Sequence, residues 1–88
     1  MKVIVVYKEG TEMVREVEEW IRIFEQVSGR EVERINPDSK EGEAFCEARG
    51  IMIYPTVVTV GDEDGKVFGQ WSGSPMPVVD EVLGYLVR

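Results

Sequence analysis

At 88 residues and 10.0 kDa the chain holds one domain, expected over 1–88, with one thin core; such a chain hides only ~60–65% of the surface its unfolded form exposes, which leaves little room for a deep catalytic cavity. Seventeen acids against ten bases give a net charge of −7; this argues against nucleic acid and anionic membranes as partners, because phosphate binding is driven by Lys and Arg, and it favours a basic or neutral one. There is no His and only one Cys, so Ser-His-Asp and Cys-His catalysis, imidazole zinc sites, an intramolecular disulfide and a Cys-x-x-Cys motif are all excluded.

Val3 to Tyr7 is a continuous β-branched run, expected as a central strand covered on both faces. It is too short for a signal segment or a membrane span. With the lone Cys, which suits a reducing compartment, it points to a cytoplasmic location. Thr11 to Ser28 has helical period: Met13, Val17, Trp20, Phe24 and Val27 step by three and four, with Val14 and Ile21 on the same stripe. Thr11 is the expected N-cap and Gly29 the expected stop. Arg30 to Ile35 reads as a charged edge strand. After Asn36-Pro37, a short helix is expected over Lys40 to Arg49, capped by Asp38 or Ser39, with Ala44, Phe45 and Ala48 inward.

Ile51 to Tyr54 leads into Pro55, and Thr56 to Val60 is a strand. Gly61-Asp62-Glu63-Asp64-Gly65 is a turn, and Lys66 to Trp71 returns antiparallel. Ser72 to Pro75 breaks the chain. Pro75 or Pro77 then suits the first turn of a last helix carrying Val78, Val79, Val82, Leu83 and Leu86. The order β-α-β-α-β-β-α implies an α/β fold. A right-handed first crossover makes the first two strands parallel, the hairpin joins them antiparallel, and helices cover both faces of a mixed four-stranded sheet.

This order, with Gly50-Ile51-Met52-Ile53-Tyr54-Pro55-Thr56-Val57-Val58 entering the third strand, resembles the thioredoxin-like family in its smaller, glutaredoxin-sized form. Gly65-Lys66-Val67-Phe68 and the break at Gly73 fit the same resemblance, which covers nearly the whole chain. It implies a cis bond before Pro55 and, beside it, a backbone edge that relatives use to hold an extended peptide. It also implies an attacking Cys at the start of the first helix. Here that segment reads Lys8-Glu9-Gly10-Thr11-Glu12-Met13, with no Cys and two added acids. Both the dithiol and the monothiol mechanism therefore lack their nucleophile.

The remaining candidates are weaker. Cys46, flanked by Glu43 and Glu47, reads as a packing residue, because nearby carboxylates raise a thiol pKa; the alternative is a divergent thiol-disulfide enzyme or redox sensor acting through it. The acidic turn lacks the twelve-residue span of a calcium loop, and as a phosphate loop it has too few residues and leads into a strand. The scattered carboxylates have no groove to flank. Trp20 belongs to the core stripe, whereas Trp71, near Gly73, can anchor a partner. Met13, Met52 and Met76 fall towards the same face. The expectation is a redox-inactive protein- or peptide-binding adaptor using Gly10, Thr11, Tyr54, Pro55, Trp71 and Gly73, flanked by Glu9 and Ser74. It needs neither cofactor nor metal, and a purely structural subunit that dimerises through a sheet edge or a Met-rich face is a further alternative.

Overall fold

Two central strands set the frame. In the computed structural model, which describes residues 1–86, β1 (Lys2–Val6) pairs in parallel with β2 (Val32–Ile35) and antiparallel with β3 (Thr56–Val60), and β3 pairs antiparallel with β4 (Val67–Ser72). The sheet order is β2-β1-β3-β4. Three helices complete the chain: α1 (Met13–Ser28), α2 (Lys40–Arg49) and α3 (Val79–Leu86). This is the expected mixed sheet in the expected order. None of the helices described is long and apolar enough to cross a membrane.

The period of two in β1 divides its side chains between two cores. Val3, Val5 and Tyr7 join Val17, Trp20, Ile21 and Phe24 of α1, Val82 and Leu86 of α3, and Val57. Ile4 and Val6 join Cys46 of α2, Ile51, Val58 and Val60 on the other face. A continuous apolar strand is stable here because both faces are covered. Each large side chain buried this way contributes about 1.5–3 kcal/mol relative to exposure. In α1 the Trp20 and Phe24 rings stack with centroids 5.1 Å apart.

Several local expectations are corrected. Thr11 does not cap α1: the cap position falls on Glu12 without a side-chain bond, and the Thr11 hydroxyl donates to the Lys8 carbonyl at 2.8 Å. The chain is still turning at Thr11, so its hydroxyl closes that turn instead. Val27 is 60% exposed, since the core stripe of α1 ends at Phe24. On α2 the inward line is Gly42 and Cys46, with Phe45 half-buried; Ala44 and Ala48 face solvent. The reason is Gly42: a Cβ there would lie 1.8 Å from the Asn36 carbonyl oxygen, so only glycine lets the first turn of α2 press against the 36–38 turn. Ser39, not Asp38, caps α2, accepting from the Gly42 amide at 3.0 Å. Pro75 and Pro77 both precede α3, and Val78 is exposed. The outer strands are shifted, to Val32–Ile35 and Val67–Ser72, and the register slips between Thr59 and Val60, leaving Phe68 as the extra residue of a bulge.

Candidate functional site

The register brings most of the expected residues to one end of the sheet. Val6 lies opposite Thr56, and Thr56 opposite Ser72. The segments just beyond these positions, Tyr7–Thr11, Met52–Pro55 and Gly73–Ser74, therefore meet where β1 ends, β3 begins and β4 ends. The Tyr54–Pro55 peptide is cis, and so is Ser74–Pro75. The Gly73 amide donates to the Pro55 carbonyl at 2.7 Å. Gly73 takes φ +86°, a conformation L side chains rarely adopt, and the Ile53 side chain packs over it.

The residues before Pro55 are unusually open. Met52 is 86% exposed and Ile53 58%. The Ile53 carbonyl accepts from the Thr56 hydroxyl, whereas among the described residues no hydrogen bond engages the Tyr54 amide or carbonyl. A peptide group left free beside exposed apolar side chains can pair with an added extended segment. Pro55 itself is buried, and its carbonyl is committed to Gly73. The open backbone edge is thus at Tyr54.

The surrounding side chains hold this end in place. The Lys8 ammonium lies over the Tyr54 ring, 5.4 Å from its centre, and 3.8 Å from an Asp38 oxygen. The Tyr54 side chain packs against the buried cluster that contains Cys46. Burial pushes the Cys46 thiol up, outweighing the opposite pull of Tyr54 and Arg49. Cys46 is 5% exposed, on the α2 side of the sheet. A buried thiol held protonated is a poor nucleophile. Gly10 and Thr11 sit at the exposed tip of the β1–α1 connection.

Trp71 is not brought to this group. Its side chain lies on the α3 face, edge-on to Tyr85 at 5.2 Å, with its Nε1 donating to Glu81 at 3.2 Å. Of the methionines, Met52 is free, while Met13 and Met76 are partly buried against the larger core. Two residues that sequence reasoning missed as site supports are Glu16 and Trp20. Glu16 accepts from the Ser74 hydroxyl at 3.0 and 3.1 Å and from the Met76 amide at 3.2 Å. Trp20 Nε1 donates to the Pro77 carbonyl at 2.7 Å. One turn apart on α1, they pin the 74–77 segment. The helical spacing of Glu16 and Trp20 was visible in the sequence; the segment they hold was not.

A second polar group joins α1 to the β2 edge. The Tyr7 hydroxyl donates to Glu18, and Glu18 lies 3.5 Å from Arg34. Burial and then Glu18 push the Tyr7 phenol up to about 12, while Tyr7 and Arg34 hold the Glu18 carboxyl below its usual range. Near neutral pH the phenol stays protonated and the carboxylate ionised, so the pair has no proton to exchange and reads as a brace. Among the described residues no group of three or more His, Cys, Asp and Glu side chains is placed to hold a metal ion.

The chain superposes on known thioredoxins. It is similar to thioredoxin 1 of the thermophilic eubacterium Thermosipho africanus, with a TM-score of 0.71 at 15% identity, over 100% of this chain and 92% of that one. It is similar to Fasciola hepatica thioredoxin, with a TM-score of 0.68 at 16% identity, over 98% and 77%. It is also similar to a malarial protein, with a TM-score of 0.65 at 9% identity, over 99% and 96%. The fold is thioredoxin-like. No family model and no curated protein sequence matches the chain. The thioredoxin-like fold hosts many chemistries, and function must be argued from the site.

Proposed function

We propose that the chain is a redox-inactive binding module that takes up an extended polypeptide segment at the sheet end around Gly10, Thr11, Tyr54, Pro55 and Gly73. The observation that carries this reading is the peptide group of Tyr54, without a hydrogen bond among the described residues, set beside exposed Met52 and Ile53 on a segment whose Ile53 and Pro55 carbonyls are held by Thr56 and Gly73. Pinning matters because a rigid edge loses little freedom on binding. The absence of Cys from Lys8 to Met13 and the burial of Cys46 support the redox-inactive part of the reading. They weigh equally against the alternative of thiol-disulfide chemistry through Cys46.

The test is amide-resolved NMR during titration with short apolar peptides able to extend. The expected result is shifts confined to 52–54, Gly73 and the 8–11 connection, weakened by Ile53→Asp. Shifts elsewhere, or none with any peptide, would remove this reading. An insulin-reduction assay with dithiol present should give the uncatalysed rate; catalysis lost in Cys46→Ser would establish the alternative instead.

A further inference from the structure

The end of the sheet around Tyr54 carries acidic side chains that form no ion pair among the described residues. Glu9 and Glu12 are exposed on the connection into α1; Glu9 shares a small depression with Arg34, yet neither acid makes an ion pair among the described residues. Glu16, one turn further along α1, is met among the described residues only by the neutral donors Ser74 and Met76. The cation of this connection, Lys8, is already matched by Asp38 and laid over Tyr54. Arg15, one turn beyond Glu12, lines a depression with Glu18, Glu19, Arg22, Glu25 and Arg34 and makes no ion pair with Glu12. What faces a partner is therefore an apolar centre, Met52 and Ile53, with an acidic flank.

We propose that the segment bound here is cationic: an extended stretch of apolar side chains flanked by Lys or Arg. This deepens the binding reading above and rests on it. The apolar residues cover Met52 and Ile53, the backbone pairs with Tyr54, and the flanking cations meet Glu9 and Glu12. An acidic or phosphate-bearing segment would set like charges together, which costs affinity and slows encounter. A second copy of this chain is a poor occupant for the same reason. It would bring a net charge of −7 and the same acids against these.

The experiment uses fluorescein-labelled peptides with a Val-Ile-Val centre flanked by Lys, Gln or Glu, measured by anisotropy against the full chain. In low salt the Lys-flanked peptide should bind roughly tenfold tighter than the Gln-flanked one, with the Glu-flanked one weakest. The gap should close in molar salt, where the screening length falls to about 3 Å. The double variant Glu9→Gln, Glu12→Gln should bring the Lys- and Gln-flanked peptides to within about twofold of each other. Both side chains are exposed and unpaired, so the variant should fold, as far-UV circular dichroism will show. Equal binding of Lys- and Gln-flanked peptides, with amide shifts still at Tyr54 and Gly73, would overturn the cationic inference and leave the binding reading standing. A cation preference undiminished in the double variant would overturn it too, by placing the attraction elsewhere on the surface. If none of the three peptides binds, both readings fall.

Discussion

Replacing Thr59 by valine should stabilise this protein. Thr59 is fully buried in the middle of the sheet, opposite Val3 of β1 and Gly69 of β4. Strand alternation puts it on the same face as Val57, which belongs to the core under α1 and α3. Its hydroxyl has no hydrogen-bond partner among the described residues. The Trp71 ring covers the position: a Cβ on Gly69 would lie 3.1 Å from Thr59 Oγ1 and 2.6 Å from Trp71 Cη2. A buried hydroxyl without a partner costs about 1–3 kcal/mol. Valine keeps the branched shape and the strand preference while removing that cost. Taking the lower end of the range, Thr59→Val gains about 1 kcal/mol, which for a domain of this size raises Tm by ~4–8 °C. Urea and thermal unfolding followed by circular dichroism measure it, with an unchanged m-value as the check that the unfolded state is the same. Thr59→Ser is the control: it keeps the hydroxyl and loses a methyl group, and should cost about 1 kcal/mol. A Thr59→Val protein less stable than wild type would show that the hydroxyl is bonded, and the reasoning would be wrong.

Gly42→Ala should destabilise by about 3 kcal/mol, because its Cβ would stand 1.8 Å from the Asn36 carbonyl oxygen; a urea midpoint close to wild type would mean that the 36–38 turn yields freely. The Tyr7 phenol, raised from 10.0 to about 12, contributes stability that is whole below pH 10 and is lost as pH climbs through 12. Tyr7→Phe should lack that alkaline loss when urea unfolding is repeated across the range, and an identical profile in both proteins would dismiss the brace. Cys46 in the native protein should react with a thiol reagent roughly a thousandfold more slowly than in urea, since labelling must await opening of the fold. Fast native labelling that persists below the free-thiol pKa of ~8.5 would mean an activated thiolate and reopen thiol chemistry.

The order of elements was legible because it is written in local patterns. The β-branched run at Val3, the stepped apolar residues from Val17 to Phe24, and the glycine-bounded turn at 61–65 each reveal one element without help from the others. The errors fall where a distant contact overrides such a pattern. Ala44 and Ala48 are as apolar as a core position needs, yet the Asn36 carbonyl selects Gly42 for the inner face and turns both outward. Trp71 stands next to Gly73 in sequence, but strand alternation and the Glu81 and Tyr85 contacts direct it to α3. The site was legible only in outline: Tyr54, Pro55 and Gly73 converge, while their supports were hidden.

Taken alone, the sequence determined the fold class, the mixed sheet, the absence of an attacking Cys in the 8–13 segment, and the acidic balance. These depend on residue type, spacing and count, which a linear chain displays in full. The tertiary structure decided that Cys46 is buried in the cluster Tyr54 packs against, that the Tyr54 peptide group has no hydrogen bond among the described residues, and that Glu16 and Trp20 hold the 74–77 segment. Glu16 and Ser74 are 58 residues apart, and Trp20 and Pro77 are 57. No local spacing can encode such a contact, because it exists only after both cores have packed and set the angle at which each helix crosses the sheet.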